Sequence, residues 1–345
     1  MYPSVAIIIV TYDGERYIKK CLSSVLGNSY EGKFDIFVID NNSKDKTAEI
    51  VSKEFSNVVL DVLKGNLGFA GGNNFGIRKA LSKGYDYIVL LNQDTEVSQD
   101  WLSELSRVAQ KYQEAGIVQS MLLLSEERAL TNNAGNAFHY LGFGFIKNYR
   151  QKAEPWVQKG NFEIGYASGA AMLIKKEVLE RIGAFDEKFF MYHEDLDLCW
   201  RARIAGYKII VAAKSIVFHD YEFNRNKMIF YWTERARIAC LAQNYSFASI
   251  LKLLPIFLLV EAMMIFYSLL NGWAVEKLNS YVWFVSNISM ILKSRRCAQS
   301  TRKVSDKEIF KSMDYNLEFS GPSFAIRWIV NPIICFYYYF IKIFI

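Results

Sequence analysis

A chain of 345 residues has room for one large domain and a further segment. With 52% hydrophobic and 22% charged residues it is too apolar to be disordered, and a net charge of +6 is too mild to imply nucleic acid as a partner. Five cysteines (Cys21, Cys199, Cys240, Cys297, Cys335) are scattered and odd in number without a C-x-x-C pair, which argues against a disulfide framework or a zinc site and suits a reducing cytosol. The N-terminus enters an apolar run with no basic region ahead of it, so no signal peptide is expected.

The first third repeats an apolar run, a turn and an amphipathic helix. Residues 5–10 read as a buried strand, 16–26 as a helix, 35–39 as a strand, 46–55 as a helix and 58–63 as a strand. A helix over 74–83 and a strand over 85–91 follow. Alternating strands and helices with short loops predict an α/β fold with a parallel sheet and a nucleotide-sized crevice at the strand C-termini. From 116 to 164 the pattern loosens into TNNAGN and GFGF, read as irregular strands and loops. A strand over 165–174, a short helix over 176–182, a helix over 195–205 closed by Gly206, and strands over 207–212 and 216–218 complete a first domain, 1–245.

Beyond it, 246–345 reads as a membrane-associated helical region. Residues 251–270, interrupted only by Lys252, Pro255 and Glu261, match a bilayer span in length, as would a buried soluble helix. The apolar stretch 281–292 is too short to cross by itself, and 328–345 is rich in Ile, Phe and Tyr. Between these lies a basic segment, 293–311, with Lys293, Arg295, Arg296, Arg302, Lys303, Lys307 and Lys311 opposed by Asp306 and Glu308. A re-entrant or interfacial hairpin over 251–292 keeps that segment on the cytoplasmic side, facing anionic lipid.

Polar clusters fall where the strands end. Thr11-Tyr12-Asp13-Gly14 follows the first, and Asp40-Asn41-Asn42-Ser43 the second. Asp40 suits a base N–H or a ribose hydroxyl; an Asx turn capping the next helix explains it equally well. Asn66 to Asn74, NLGFAGGNN, offers glycines for close approach and amides ahead of a helix for a diphosphate, without Walker or Rossmann spacing. In YIVLLNQDTEVSQD, residues 87–100, a buried strand delivers Asn92, Gln93 and Asp94 to one spot, where a carboxylate suits a hard cation. Downstream, an aromatic run, 189–192, leads into His193, Glu194, Asp195 and Asp197. Asp197 is explained by Arg201 four residues on; adjacent acids behind an aromatic mouth match a tuned general base. His219, in IVFH, is a candidate neutral imidazole ligand.

Taken together, IIIVTYDG, FVIDNNSKD, NLGFAGGNN, LLNQDT, SGAAMLI and GAFDEKFFMYHEDLDLCWR appear in the order that resembles family-two inverting glycosyltransferases of GT-A fold, rhamnosyltransferase-like branch, over about residues 4–219. The resemblance implies transfer of a sugar, rhamnose among the candidates, from a nucleotide-diphosphate donor to a glycan or polyprenyl-linked acceptor at the cytoplasmic face of the cell membrane. It implies that Thr11, Asp13 and Asp40 line the nucleotide pocket, that Asn66, Gly68, Phe69, Ala70 and Asn74 form the donor loop, and that Asn92 and Gly169 adjoin the substrate. Asp94 then holds a divalent cation, Mg²⁺ or Mn²⁺, with His219 completing its shell; Asp195 is the base and Glu194 shapes the site. Two departures stand out: Asn92 replaces the first carboxylate of the family's D-x-D motif, and Asp13 stands where Asn is usual.

Two other classes compete. A non-catalytic nucleotide-binding membrane protein predicts no acids at the crevice beyond Asp40. A nucleotidyltransferase predicts a Gly-rich, Lys/Arg-containing loop after the first strand, which TYDGERYIKK does not offer.

Overall fold

The computed structural model describes residues 2–220, 226–317, 328 and 330–345; position 329, inside the last apolar run, falls outside them. Strand β1 (Val5–Thr11) sends Val5, Ile7 and Ile9 to one face and Ala6 and Ile8 to the other, all fully buried. A run apolar on both sides needs cover on both faces. Helices α1 (Ile18–Leu26) and α2 (Thr47–Glu54) supply part of it on the first face, and α3 (Gly68–Ser82) on the second. Between them run β2 (Phe34–Asp40), β3 (Val59–Val62) and β4 (Tyr87–Asn92). β1 pairs in parallel with β2 and β4, and β2 with β3. The strand order therefore turns back between β1 and β4, and a crevice opens at their carboxyl ends.

The chain continues through β5 (Thr95–Val97), α4 (Trp101–Lys111), β6 (Ala115–Leu124), β7 (Thr131–Asn133) and the hairpin β8 (Asn136–Phe138) and β9 (Gly144–Ile146). Then come α5 (Glu154–Lys159), β10 (Phe162–Glu163), β11 (Ala171–Lys175), α6 (Lys176–Ile182), a 3₁₀ turn (Glu187–Phe189), α7 (Glu194–Ile204) and β12 (Lys208–His219). The sheet order is β10-β12-β6-β11-β4-β1-β2-β3. β11 is antiparallel to β4 and β6, and β10 to β12; the remaining strands of this path run the same way, giving a mixed, mostly parallel sheet.

Four expectations are corrected. The stretch 116–164 is not uniformly irregular, because β6 is a ten-residue central strand buried along its whole length. The pair 207–212 and 216–218 is one strand, β12, with a register shift between Ala212 and Ile216. Strand β11 starts at Ala171 rather than 165. Finally, the helix expected over 74–83 begins at Gly68. A Cβ on Gly72 would lie 2.8 Å from Val10, and one on Gly76 2.6 Å from Ile8, so these glycines, four apart on one helix face, let α3 lie directly on β1.

The C-terminal part holds α8 (Lys227–Asn244), α9 (Phe247–Leu270), α10 (Ala274–Ser286), α11 (Ile288–Ser300), α12 (Asp306–Phe310) and α13 (Asn331–Ile341). Among the described residues α9 alone is long and apolar enough to cross a membrane by length and composition. One of its faces exposes Leu251, Leu254, Leu258, Phe266 and Leu269, and α10 and α13 expose Val275, Val282, Val285, Phe336 and Phe340. Its other face carries Glu261, which explains the acid in the apolar run. Glu261 meets Arg237 and lies 2.8 Å from Lys277, and Glu234 lies 2.8 Å from Arg237 and bonds Lys277, a buried group of two acids and two bases joining α8, α9 and α10. The 281–292 stretch is split between α10 and α11. Nor is the basic segment wholly outward-facing: Arg295 donates to the carbonyls of Ala242 and Tyr245, and Arg302 to that of Asn244. They satisfy carbonyls that the end of α8 leaves open.

Candidate active site

Parallel register brings the strand ends together. Thr11 lies opposite Asp40, and Val10 opposite Asn92. Asp40 is buried, accepts from Thr11 Oγ1 at 3.0 Å and from Ser43 N at 3.1 Å, and is bonded by Ser43 Oγ. Its carboxylate thus closes its own turn at the crevice edge. Asp13, with φ +46, is exposed and accepts from Lys44 N at 2.7 Å, lacing the first loop to the second. Gln93, which sequence reasoning left without a role, holds the first loop from the other side: its amide accepts from Tyr12 N and donates to Tyr12 O, each at 3.1 Å. Gly14 is needed there, since a Cβ would fall 2.1 Å from Gln93 Oε1.

The expected donor loop is mostly helix, and several of the amides expected to face an anion are taken. Leu67 N donates to Asn41 Oδ1, Gly68 N to Asn66 Oδ1, and Ala70 N to Phe190 O. Asn41, buried and unassigned in the sequence, thereby fixes the start of α3, its Nδ2 also donating to Gly68 O at 2.9 Å. Asn74 pairs through both ends of its amide with the backbone of Phe185, at 2.9 and 3.0 Å. It anchors the segment leading to α7.

That segment is strained. Phe190, Tyr192 and His193 have φ of +65, +69 and +66, left-handed values for residues with side chains, each costing roughly 1–3 kcal/mol. Phe190 O receives Ala70 N, and Gly68 (φ +72) leaves it room, since a Cβ there would lie 2.4 Å away. His193 sits against Gly142 O at 3.1 Å, and burial pushes its imidazole down to about 4, so it is neutral.

The turn delivers Glu194 and Asp195 to the start of α7. Asp195 accepts from Gly169 N at 3.2 Å and from its neighbour Leu196 N at 2.8 Å. Burial pushes its carboxyl up to about 6, against the lowering pull of those N–H groups. Glu194 is buried with Oε2 unpartnered; burial, then the charge of Asp195, raise it well above the usual range. Two neighbouring carboxyls thus share one corner, both held above the usual range. Gly169 also touches Phe69: a Cβ would lie 2.9 Å from that ring. Next to it, Ala170 O accepts from Asn92 N at 2.9 Å, so the residues just ahead of β11 link the end of β4 to Asp195. Asp197 is structural, bound to Arg201 Nε at 2.7 Å and Asn244 Nδ2 at 2.8 Å.

Asp94 and His219 also meet. β12 pairs His219 with Thr95, and Asp94 Oδ1 lies 3.3 Å from His219 Nε2. The ring's other nitrogen is 3.1 Å from Asn132 Oδ1, a buried partner hidden in the sequence within the turn-like TNNAGN. Asp94 Oδ1 is buried without a hydrogen bond. One carboxylate oxygen and one imidazole nitrogen, oriented from behind, fit a divalent cation that takes its other ligands from substrate and water. Among the described residues no group of three His, Cys, Asp or Glu side chains forms a complete metal cage.

This sheet, with acids gathered at its switch point, defines a glycosyltransferase domain of GT-A fold. The model of "Glycosyl transferase family 2" matches residues 6–183, just over half of the chain, and the chain belongs to that family. It is 30% identical over 208 residues to the low-salt glycan biosynthesis hexosyltransferase Agl10 of Haloferax volcanii, covering 59% of this chain and 62% of that protein, less than two thirds of its length. Over 253 residues it is 27% identical to the rhamnosyltransferase WbbL of Escherichia coli, covering 70% of this chain and 93% of the relative. It is 24% identical over 233 residues to the N-acetylglucosaminyl-diphospho-decaprenol L-rhamnosyltransferase of Mycobacterium tuberculosis, covering 62% and 75%. In fold it resembles a structure of S. aureus TarS in complex with UDP (TM-score 0.53, 16% identity, covering 97% of this chain and 86% of that one). A second likeness is GalNAc-T7 with UDP, GalNAc and Mn²⁺ (TM-score 0.57, 15% identity, covering 70% and 48%).

Proposed function

We propose that the protein is an inverting glycosyltransferase that moves a hexose, in the rhamnosyl class, from a nucleotide-diphosphate donor to a glycan or polyprenyl-linked acceptor at the cytoplasmic face of the cell membrane. Asp195 supports this most directly: a carboxylate held by two backbone N–H groups, raised to about 6 by burial and ionised at neutral pH, beside Glu194, whose carboxyl is raised as well. Asp195 takes the proton of an acceptor hydroxyl as that oxygen attacks the anomeric carbon; the bond to the donor's diphosphate breaks on the opposite face and its electron pair leaves with the nucleotide. Thr11, Asp13 and Asp40 border the nucleotide, and Gly68, Phe69, Asn92 and Gly169 its sugar. Asp94 and His219 hold a divalent cation, Mg²⁺ or Mn²⁺, whose chemistry when bound is to offset charge on the diphosphate.

Related proteins named for rhamnosyl transfer, one onto a diphospho-decaprenol-linked sugar, support the donor and acceptor classes. The apolar faces of α9, α10 and α13 support contact with membrane lipid, which favours a lipid-linked acceptor. The test is a panel of nucleotide sugars with a polyprenyl-diphosphate glycolipid fraction, wild type against Asp195→Asn. Transfer by wild type and a loss of about 10³-fold in the variant are expected; transfer at full rate by Asp195→Asn refutes the base.

A further inference from the structure

Three aromatic rings at the mouth of the site have no part in the chemistry above. Phe190 and Tyr192 lie on the strained turn ahead of Asp195, and Trp232 lies on α8. Trp232 is 5.6 Å from Phe190 at 37° and 6.2 Å from Tyr192 at 31°, and all three rings are partly exposed. Phe189, just ahead of them in sequence, is instead fully buried. Left-handed backbone at Phe190 and Tyr192 is what puts their rings beside Trp232, and such strain persists only where the surroundings over-determine it.

The surroundings do so from two sides. On the donor side, Ala70 N donates to Phe190 O, and Gly68, without a Cβ, leaves that carbonyl room. From α8, Arg235, nine-tenths buried, donates to Phe189 O at 2.9 Å and Lys188 O at 3.3 Å, while its guanidinium is 4.8 Å from both Tyr231 and the Trp283 ring of α10. The backbone of the turn that carries Phe190 is therefore held before any ligand arrives, which cuts the cost of ordering on binding. They stand between the start of α3, where the Phe190 ring abuts Gly68, and the turn that delivers Asp195, with Trp232 contributed from α8.

We propose that Phe190, Tyr192 and Trp232 form the binding platform for a pyranose ring of the acceptor, which stacks its C–H face on them and presents a hydroxyl to Asp195. The occupant follows from the chemistry: a sugar ring has an apolar face and a polar rim, matching aromatic surface beside a carboxylate, whereas a charged nucleotide diphosphate matches neither. The proposal rests on the transferase function above and assigns its acceptor side.

Two measurements on the full chain in detergent test it. The first is saturation-transfer NMR with methyl β-pyranosides, comparing wild type, Trp232→Ala and Trp232→Phe. Ring-proton contacts in wild type that vanish in Trp232→Ala and persist in Trp232→Phe are expected; no contacts in wild type, or contacts unchanged in Trp232→Ala, overturn the platform. The second is the transfer assay with the glycolipid fraction. Trp232→Ala should raise acceptor KM about tenfold or more, with Trp232→Phe near wild type and donor KM unchanged. An equal rise in donor KM marks a merely structural ring and overturns the proposal. Pyranoside contacts without sugar transfer by wild type would refute the proposed transferase function while leaving a carbohydrate site.

Discussion

Gly169 donates its N–H to Asp195 at 3.2 Å while its missing side chain leaves room for the Phe69 ring. A methyl group there would lie 2.9 Å from the Phe69 ring and 3.9 Å from Asp195 Cβ. Gly169→Ala must therefore push the Phe69 ring aside or shift the Gly169 backbone whose N–H holds the carboxylate. The expected result is a loss of kcat of about 10–100-fold, because a shift near 1 Å misaligns a reacting group, with the thermal melt within a few degrees of wild type. Unchanged kcat would show that Phe69 yields freely.

The raised carboxyl of Asp195 predicts an acid limb. Its ionised form is the base, so transfer should fall tenfold per pH unit below about 6. Burial, then the charge of Asp195, raise Glu194 well above the usual range and favour its protonated form, so Glu194→Gln should keep the limb near the same position. A limb displaced by a full unit in Glu194→Gln would mean that the two carboxyls share their proton.

Stability should respond in the opposite sense. A carboxyl whose ordinary value of 3.8 rises to about 6 in the fold binds its proton more tightly when folded. Its destabilising effect is absent below about 3.8, grows between the two values and is complete above 6. Asp195→Asn should thus melt higher than wild type at pH 8, with the advantage shrinking below pH 6 and gone by about pH 3.8. Equal melting temperatures at pH 8 would show that the two N–H groups fully offset the burial.

How far the sequence revealed this arrangement depended on period and register. Continuous apolar runs exposed β1, β2 and β4, and parallel pairing then forces Thr11, Asp40 and Asn92 to one edge. Asp94 and His219, 125 residues apart by subtraction of their numbers, meet only through pairing of β12 with β5, and no local pattern reports a three-residue strand. NLGFAGGNN misled for a physical reason: glycine serves close approach to a phosphate and close approach to a strand equally well, and here Gly72 and Gly76 face β1. Asn41, Gln93 and Asn132 were hidden because an amide clasping backbone or a histidine leaves no periodic trace.

Cation dependence follows from the Asp94–His219 pair, 3.3 Å apart with Asp94 Oδ1 buried and without a hydrogen bond. Chelation should abolish transfer and Mn²⁺ or Mg²⁺ restore it. Asp94→Ala should cost about 10²-fold or more in kcat/KM, and Asn132→Ala, which loosens the imidazole from behind, about tenfold in apparent metal affinity. Full activity in chelator would remove the cation from the reaction.

The buried group under α9 yields the last expectation. Glu234, Arg237, Glu261 and Lys277 balance two charges against two across α8, α9 and α10. Lys277→Met leaves two buried carboxylates facing one guanidinium, and removing one partner of such a group costs about 3–5 kcal/mol. Replacing Glu261 by Leu in the same chain removes the excess negative charge and should recover most of that loss, since apolar residues of similar volume substitute well for a buried pair. Chemical denaturation in detergent measures both. The same α8 that holds Glu234 and Arg237 also carries Trp232 and Arg235, so the single variant should weaken acceptor use along with stability, and the double variant should regain both. Recovery of stability without recovery of acceptor KM would show that the group sets the position of α8 against the strained turn as well as the stability of the helices.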